Sequence, residues 1–253
     1  MRDSVILEAR KLRKEFGGLV AVNDVDLQIR AGTFHSIIGP NGAGKTTLFN
    51  LLSRTLDPTS GQVFFKGRNI THVPMQQIAH LGIGRSFQIT NIFPNLTAFE
   101  NIRLACQATG SDNFKMFKRA DDFKTYHDRT WHVIRQVGLT ERAKMIARSL
   151  PHGDQRKLEL GMILAQNPEV LLLDEPTAGM AGELVPEFIA LIKRVQSEDH
   201  KTIVLVEHNM NVVMNASEII TVMHQGAILA EGTPAEITAN PVVQSAYLGG
   251  MQW

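Results

Sequence analysis

The run Gly39-Pro40-Asn41-Gly42-Ala43-Gly44-Lys45-Thr46-Thr47 sets glycine, glycine, lysine and a hydroxyl at the spacing of a phosphate-binding loop, G-x-x-x-x-G-K-[ST]. A triphosphate concentrates negative charge, so its binder needs backbone N–H groups at close range and a cation. Glycines remove the Cβ atoms that would hold the main chain away. A helix starting directly after the loop turns its free N–H groups and the positive end of its dipole toward the anion. In this pattern Lys45 reaches the β- and γ-phosphates and the Thr46 hydroxyl holds Mg²⁺. The chemistry on offer is binding of a nucleoside triphosphate.

A second group is acidic. Asp174-Glu175 ends the run Val170-Leu171-Leu172-Leu173, and the C-terminal end of a buried strand is where α/β sheets place ligand chemistry. Asp174 suits Mg²⁺ held through water, and Glu175 suits orienting or deprotonating an attacking water. Gln88 stands where a strand-rich part passes into a helical part, within reach of such a metal or water. Taken alone it reads as a surface glutamine. His208, just past Ile203-Val204-Leu205-Val206, suits a donor to the γ-phosphate; alone it reads as a capping or solvated histidine. Leu150-Pro151-His152-Gly153-Asp154-Gln155-Arg156 leads into an amphipathic helix whose N-terminus, at Gly153, forms a second anion-binding end. Two such ends far apart in sequence suggest a nucleotide sandwiched between two chains.

Elements must position these groups. Residues 35–38 read as a buried strand before the loop and 45–53 as the helix after it. Residues 25–29 alternate apolar and polar as a half-buried antiparallel strand does, and 62–65 follow a Pro58-Thr59-Ser60-Gly61 turn as another. Helical patterning then covers 98–107, 123–137 and 158–165, interrupted by a polar stretch at 110–122. The runs 170–173 and 203–206 are continuously apolar, as in parallel strands covered on both faces. Helical segments near 183–195 and 209–215 separate and follow them. Thr233-Pro234-Ala235-Glu236 is a capping box in a tail expected to hold one short strand and a helix. The expected fold is α/β: a P-loop core with a mainly parallel sheet, an N-terminal antiparallel β part and an inserted helical part. The expected division is one domain over 1–253, with 1–88 and 167–253 as nucleotide-binding core and 89–166 as helical subdomain.

Composition bounds the partners. Among 253 residues, 26 Lys and Arg against 25 Asp and Glu leave no electrostatic case for nucleic acid. The one cysteine, Cys106, rules out an intrachain disulfide and fits a reducing compartment. The N-terminal run Met1-Arg2-Asp3-Ser4-Val5-Ile6-Leu7-Glu8 has an early acidic residue and no sustained apolar stretch, so it does not read as a signal peptide. No run approaches the ~20 apolar residues of a membrane span, so any membrane is expected to be reached through another chain.

The order of these motifs resembles the ATPase subunits of ATP-binding-cassette transporters over nearly the whole chain. The resemblance implies that Phe16 stacks on adenine, that 39–46 is Walker A, Gln88 the Q-loop and 150–156 the signature. It makes 174–175 Walker B and His208 the switch histidine, with ATP and Mg²⁺ as cofactors. Within that group the chain looks most like the ATPases of bacterial branched-chain amino-acid importers, on Phe16-Gly17-Gly18-Leu19-Val20-Ala21-Val22-Asn23, Arg85-Ser86-Phe87-Gln88, Asn91-Ile92-Phe93, Gly153-Asp154-Gln155-Arg156 and Ala246-Tyr247-Leu248-Gly249. Subunits for urea, amides or other small polar solutes share much of this. The implied partners are a second ATPase (a paralogue or itself), two permease subunits and an extracytoplasmic solute-binding protein; the implied place is the cytoplasmic face of the inner membrane.

Two departures stand out. Pro151 and His152 take the places of serine and the first glycine in Leu-Ser-Gly-Gly-Gln, and Ala178-Gly179-Met180-Ala181 replaces Ser-Ala-Leu-Asp in the D-loop. Lys45 and Glu175 remain, so ATPase competence is expected. Phe16 alone reads equally as packing. Ile92, Phe93, Leu96 and Phe99 read equally as a permease-docking groove or as core. A soluble cassette ATPase of DNA repair or ribosomes would need a long coiled coil or a second cassette, and the sequence has neither; a P-loop GTPase or kinase reading lacks Asn-Lys-x-Asp and leaves 150–156 unexplained.

Overall fold

The computed structural model describes residues 4–86, 92–108 and 124–247. Gln88, the polar stretch 110–122 and the last two residues of the 246–249 motif lie outside the described residues.

Two sheets carry the chain. β1 (Val5–Phe16) and β2 (Leu19–Arg30) form an antiparallel hairpin, and β4 (Ser60–Phe65) with β5 (Arg68–Asn69) completes the order β2-β1-β4-β5. Val25, Leu27 and Ile29 are buried while Asp26, Gln28 and Arg30 face out, which is the alternation that a one-sided sheet demands. The strand expected at 25–29 begins six residues earlier, and its partner β1 is an element that the sequence patterns do not announce.

The second sheet has the order β10-β9-β3-β8-β7-β6, from β3 (Phe34–Ile38), β6 (Ile83–Arg85), β7 (Val170–Asp174), β8 (Thr202–Val206), β9 (Ile219–His224) and β10 (Ala227–Gly232). All neighbours are parallel except the β9–β10 hairpin. Every residue of β3, β7 and β8 is buried, as their continuous apolar runs predict. The tail expected to hold one strand thus supplies two, and β9 pairs with β3 inside the sheet.

Packing follows from the alternation of side chains across this sheet. Val170 and Leu172 meet Leu48, Phe49 and Leu52 of α1 (Lys45–Leu52), together with the antiparallel sheet. Leu171 and Leu173 face the other way, toward Ile102 of α3 (Ala98–Ala108), Val133 of α4 (Lys124–Gln136), Leu158 of α5 (His152–Ala165) and Ile192 of α6 (Val185–Glu198). The helix expected at 158–165 therefore starts at His152, and α2 (Met75–Leu81) lies in a part expected to be strand-rich. α7 (Met210–Ala216), α8 (Pro234–Ala239) and α9 (Pro241–Tyr247) close the chain, and both bonds of the Thr233–Glu236 capping box are made. Among the described residues, no helix is long and apolar enough to cross a membrane.

His35, on the central strand β3, is 2% exposed and its Nε2 lies 2.7 Å from Thr221 Oγ1. The Thr221 hydroxyl donates to Glu231, so His35 Nε2–H is the donor. Burial pushes its pKa down from 6.5 to about 4. A depressed folded pKa means that the unfolded chain takes up the proton first. Stability should be full above pH 6.5 and fall as pH drops through the window down to about 4, by roughly 3 kcal/mol. Urea midpoints followed across that window should show this slope in the wild type and a flatter one in His35→Gln; equal slopes would contradict it.

Candidate nucleotide site

Because β3, β7 and β8 run parallel, their C-terminal ends share one edge of the sheet. Asp174 pairs with Val206 and Val206 with Ile37. Residues 39–44, 174–175 and 207–208 are thereby gathered although more than a hundred residues separate the first from the others.

The loop between β3 and α1 is wedged into its own fold. A Cβ on Gly39 would lie 2.3 Å from the Met223 carbonyl oxygen, and one on Gly44 2.3 Å from that of Ala21. Gly44 also has φ +95°, and Gly42 has φ +80° with open space where its Cβ would be. Gly39 and Gly44 are thus required by packing as well as by any phosphate; the sequence pattern alone assigned them only to the ligand. Lys45 curls over the loop, its Nζ donating to the carbonyls of Gly39 (2.8 Å) and Pro40 (3.0 Å). Burial lowers its pKa, and the nearby carboxylates of Glu175 and Asp174 oppose that shift. Thr46 is exposed on the first turn of α1, beside half-buried Thr47; Asn41 is exposed and Ala43 buried.

Asp174 is 3% exposed, and neither carboxylate oxygen accepts a hydrogen bond among the described residues. Burial raises its pKa, opposed most by Arg85, whose Nη2 lies 4.0 Å from Oδ2. A buried carboxylate left bare calls for a cation or water. Its position near Lys45 and the Thr46 turn suits a hydrated divalent ion.

Glu175 has φ +47°, a left-handed conformation that costs a non-glycine residue about 1–3 kcal/mol. Its N–H donates to the Val206 carbonyl (2.8 Å), and its Oε1 lies 2.7 Å from His208 Nε2. Both side chains stay partly open to solvent. Two residues read separately from the sequence are therefore in direct contact.

Arg85 lies beside the site, and within the 85–88 motif the sequence assigned it no role of its own. It ends β6 and donates to Ser53 Oγ (2.5 Å), Thr55 Oγ1 (2.7 Å) and Asn50 Oδ1 (2.5 Å), tying the end of α1 to Asp174. The available signal was a charge on a short strand leading to Gln88, since arginine is seldom buried without partners.

The 150–155 segment is not bonded to residues 39–47 within this chain, among the described residues. Pro151 caps α5, and the N–H groups of Asp154 and Gln155 already donate to the Pro151 carbonyl. The Asp154 carboxylate pairs with Arg142, and the Gln155 amide donates to the Leu150 carbonyl, so both side chains turn to their own chain. His152 lies against Gly179: a Cβ there, at φ +74°, would meet His152 Cε1 at 3.3 Å. Arg156 donates to the Ala178 carbonyl at 3.0 Å. The altered signature and the altered D-loop thus touch each other. Phe16 is 48% exposed at the end of β1 with Lys14 Nζ 5.2 Å from its ring centre, an open aromatic face rather than core.

The described geometry has close counterparts. The family model described as ABC transporter matches residues 22–178, and that of the branched-chain amino acid ATP-binding cassette transporter matches 227–251. The high-affinity branched-chain amino acid transport ATP-binding protein LivG of Salmonella typhimurium is 40% identical over 251 residues, 96% of this chain and 98% of the relative. BraF of Pseudomonas aeruginosa, of the same description, is 40% identical with the same coverage. A nucleotide-free ATP-binding cassette from an ABC transporter superposes with a TM-score of 0.86 at 26% identity, over 98% of this chain and 100% of that one. A dimeric cassette in a post-hydrolysis state, bound to ADP and Pi, gives 0.77 at 26% identity over 90% and 99%. This chain belongs to the ABC transporter family, as one of its ATP-binding cassettes.

Proposed function

We propose that this chain hydrolyses ATP to drive a membrane importer for branched-chain amino acids. The observation that carries the catalytic part is the 2.7 Å contact between Glu175 and His208, on the sheet edge shared with Lys45 and Asp174. The names of LivG and BraF, alike over almost the whole chain, support the solute class.

In this reading Phe16 stacks on the adenine and residues 39–47 wrap the phosphates. Lys45 leaves its two carbonyl partners for the β- and γ-phosphate oxygens. Thr46, Asp174 and Gln88 would hold Mg²⁺, which when bound neutralises charge between the β- and γ-phosphates. Glu175 accepts the proton of the water that attacks the γ-phosphorus, as the bond to the β–γ bridging oxygen breaks and ADP departs. His208 orients Glu175 and donates to the γ-phosphate. A second cassette closes head-to-tail and presents its own 150–155 segment to the nucleotide; closure moves two permease subunits and hydrolysis reopens the pair. Residues 89–166 act as the helical unit that carries this motion. The complex sits on the cytoplasmic face of the inner membrane and receives solute from an extracytoplasmic binding protein.

The segment 150–155 supplies the test. The peptide N–H of buried Gly153 is the proposed contact with the partner's phosphate, since the side chains of Asp154 and Gln155 are engaged within the chain. A Cβ at 153 would meet Leu184 Cδ1 at 3.2 Å, which a small shift relieves. In a strain lacking the native gene, Gly153→Asp should fail to restore leucine, isoleucine and valine uptake, because a carboxylate driven against Leu184 and Met180 displaces the N–H meant for the phosphate and adds negative charge to that helix end. His152→Ala, which loses only the packing on Gly179, should restore most of it. Uptake of urea or amides restored in place of amino acids would move the solute to the related class. A dead His152→Ala would instead make the imidazole the phosphate donor.

A further inference from the structure

Glu207 follows β8 and is 5% exposed, yet no cation pairs with its carboxylate among the described residues. Four hydrogen-bond donors surround it. Oε1 accepts from Thr177 N–H (3.2 Å) and the Thr177 hydroxyl (2.5 Å); Oε2 accepts from the N–H groups of His208 (3.1 Å) and Asn209 (3.5 Å). One oxygen thus serves the turn after Glu175, and the other serves the loop that carries His208.

We propose that Glu207 is a positioning residue for ATP hydrolysis, which locks the His208 loop to the 175–180 turn so that Glu175 and His208 meet as one unit. The proposal rests on the catalytic roles proposed for Glu175 and His208. A carboxylate suits this set, because three of the four bonded neighbours are backbone N–H groups that can only donate. Glutamine would turn an NH₂ against at least one of those N–H groups, whichever way its amide faces, and aspartate is a methylene too short to span both loops. A buried carboxylate without a counter-cation is held only by such donors, and losing one half of the set leaves the other unpaired.

The turn is itself tied onward. Ala178 N–H donates to the Glu175 carbonyl, Met180 N–H to that of Thr177, and the Ala178 carbonyl accepts from Arg156 of α5. Asn209, the other end of the clamp, caps α7 through its side chain. Glu207 is therefore a second side-chain link, beside the Glu175–His208 contact, between the face formed by α5 with the 177–181 turn and the histidine loop. Among the described residues, the backbone bond across the same gap is Glu175 N–H to Val206. A shift of the turn against α5 reaches His208 through this carboxylate.

The test uses the purified full chain, with steady-state ATPase, equilibrium ATP binding and thermal melting on the same preparations. Glu207→Gln should lose about 10²-fold in kcat, the loss that a misplacement near 1 Å brings. Its ATP affinity should stay within about twofold of wild type, because the phosphate loop is untouched. Thr177→Val, which removes one donor, should lose less kcat and equally spare binding. The double variant Glu175→Gln, Glu207→Gln should be no slower than Glu175→Gln alone, as for groups that act as a unit. A purely structural role predicts lower melting temperature with kcat intact in the folded fraction, and that result overturns the proposal. So does a full multiplicative loss in the double variant. Should Glu207→Gln fail to fold, wild-type kcat in folded Thr177→Val overturns it equally. Wild-type turnover in Glu175→Gln removes the reading beneath it; a dead Glu175→Gln beside an active Glu207→Gln removes the proposal alone.

Discussion

Glu175→Gln is expected to keep ATP binding while turnover falls by at least the ~10²-fold typical of a lost general base. The amide is isosteric and can still meet His208, so geometry is kept and only proton acceptance is lost. The left-handed backbone at 175, with its N–H on the Val206 carbonyl, does not depend on the carboxylate. With hydrolysis blocked, ATP should hold two chains together as a dimer visible by size-exclusion chromatography, and removal of nucleotide should release it. Hydrolysis at the wild-type rate would take Glu175 out of the chemistry.

Phe93→Asp should leave the purified chain folded and able to bind ATP, yet abolish solute uptake. Phe93 is 50% exposed, while its N–H and carbonyl are both bonded to the side chain of buried Asn101, which pins the segment to α3. Met145 and Ile146, 39% and 40% exposed, are paired with Ala98 and Thr97 a few residues further along the same segment. A charge placed on this apolar patch should prevent its burial against a permease helix. The melting temperature should barely change, as for a surface substitution within about 0.5 kcal/mol. Phe99→Asp should instead melt at a markedly lower temperature, because Phe99 packs against the rings of His127 and Trp131 at 5.4 and 5.3 Å in a three-ring cluster. Melting curves beside a pull-down with the permease decide the matter: a destabilised Phe93→Asp makes this core, and a stable variant that still assembles and transports removes the docking role.

The 92–99 stretch shows the limit of reading in one dimension. Ile92, Phe93, Leu96 and Phe99 read equally as a groove or core, and the fold divides them: Ile92 and Phe99 pack against the helical cluster, Leu96 is half-buried and Phe93 stays outside. Helical periodicity does not distinguish these, because the direction of a face depends on what lies across from it.

What the sequence determined by itself was local. The phosphate loop is a contiguous backbone conformation, and its glycines, lysine and following helix act over a few residues. The buried strands at 170–173 and 203–206 announced themselves because parallel strands covered on both faces have no polar side. The Thr233–Glu236 cap was legible because its two bonds close within four residues. Only the tertiary structure decided the rest. That Glu175 touches His208, that Arg85 faces Asp174, and that His152 lies over Gly179 are facts about residues 27 to 89 positions apart, set by strand order and helix packing. Glu207 is the plainest instance. Its neighbour in sequence drew the attention because histidine can donate to phosphate, whereas the glutamate takes its meaning from four donors, one pair of them thirty residues away. A carboxylate at a strand end is ordinary until the fold removes its water and supplies N–H groups instead.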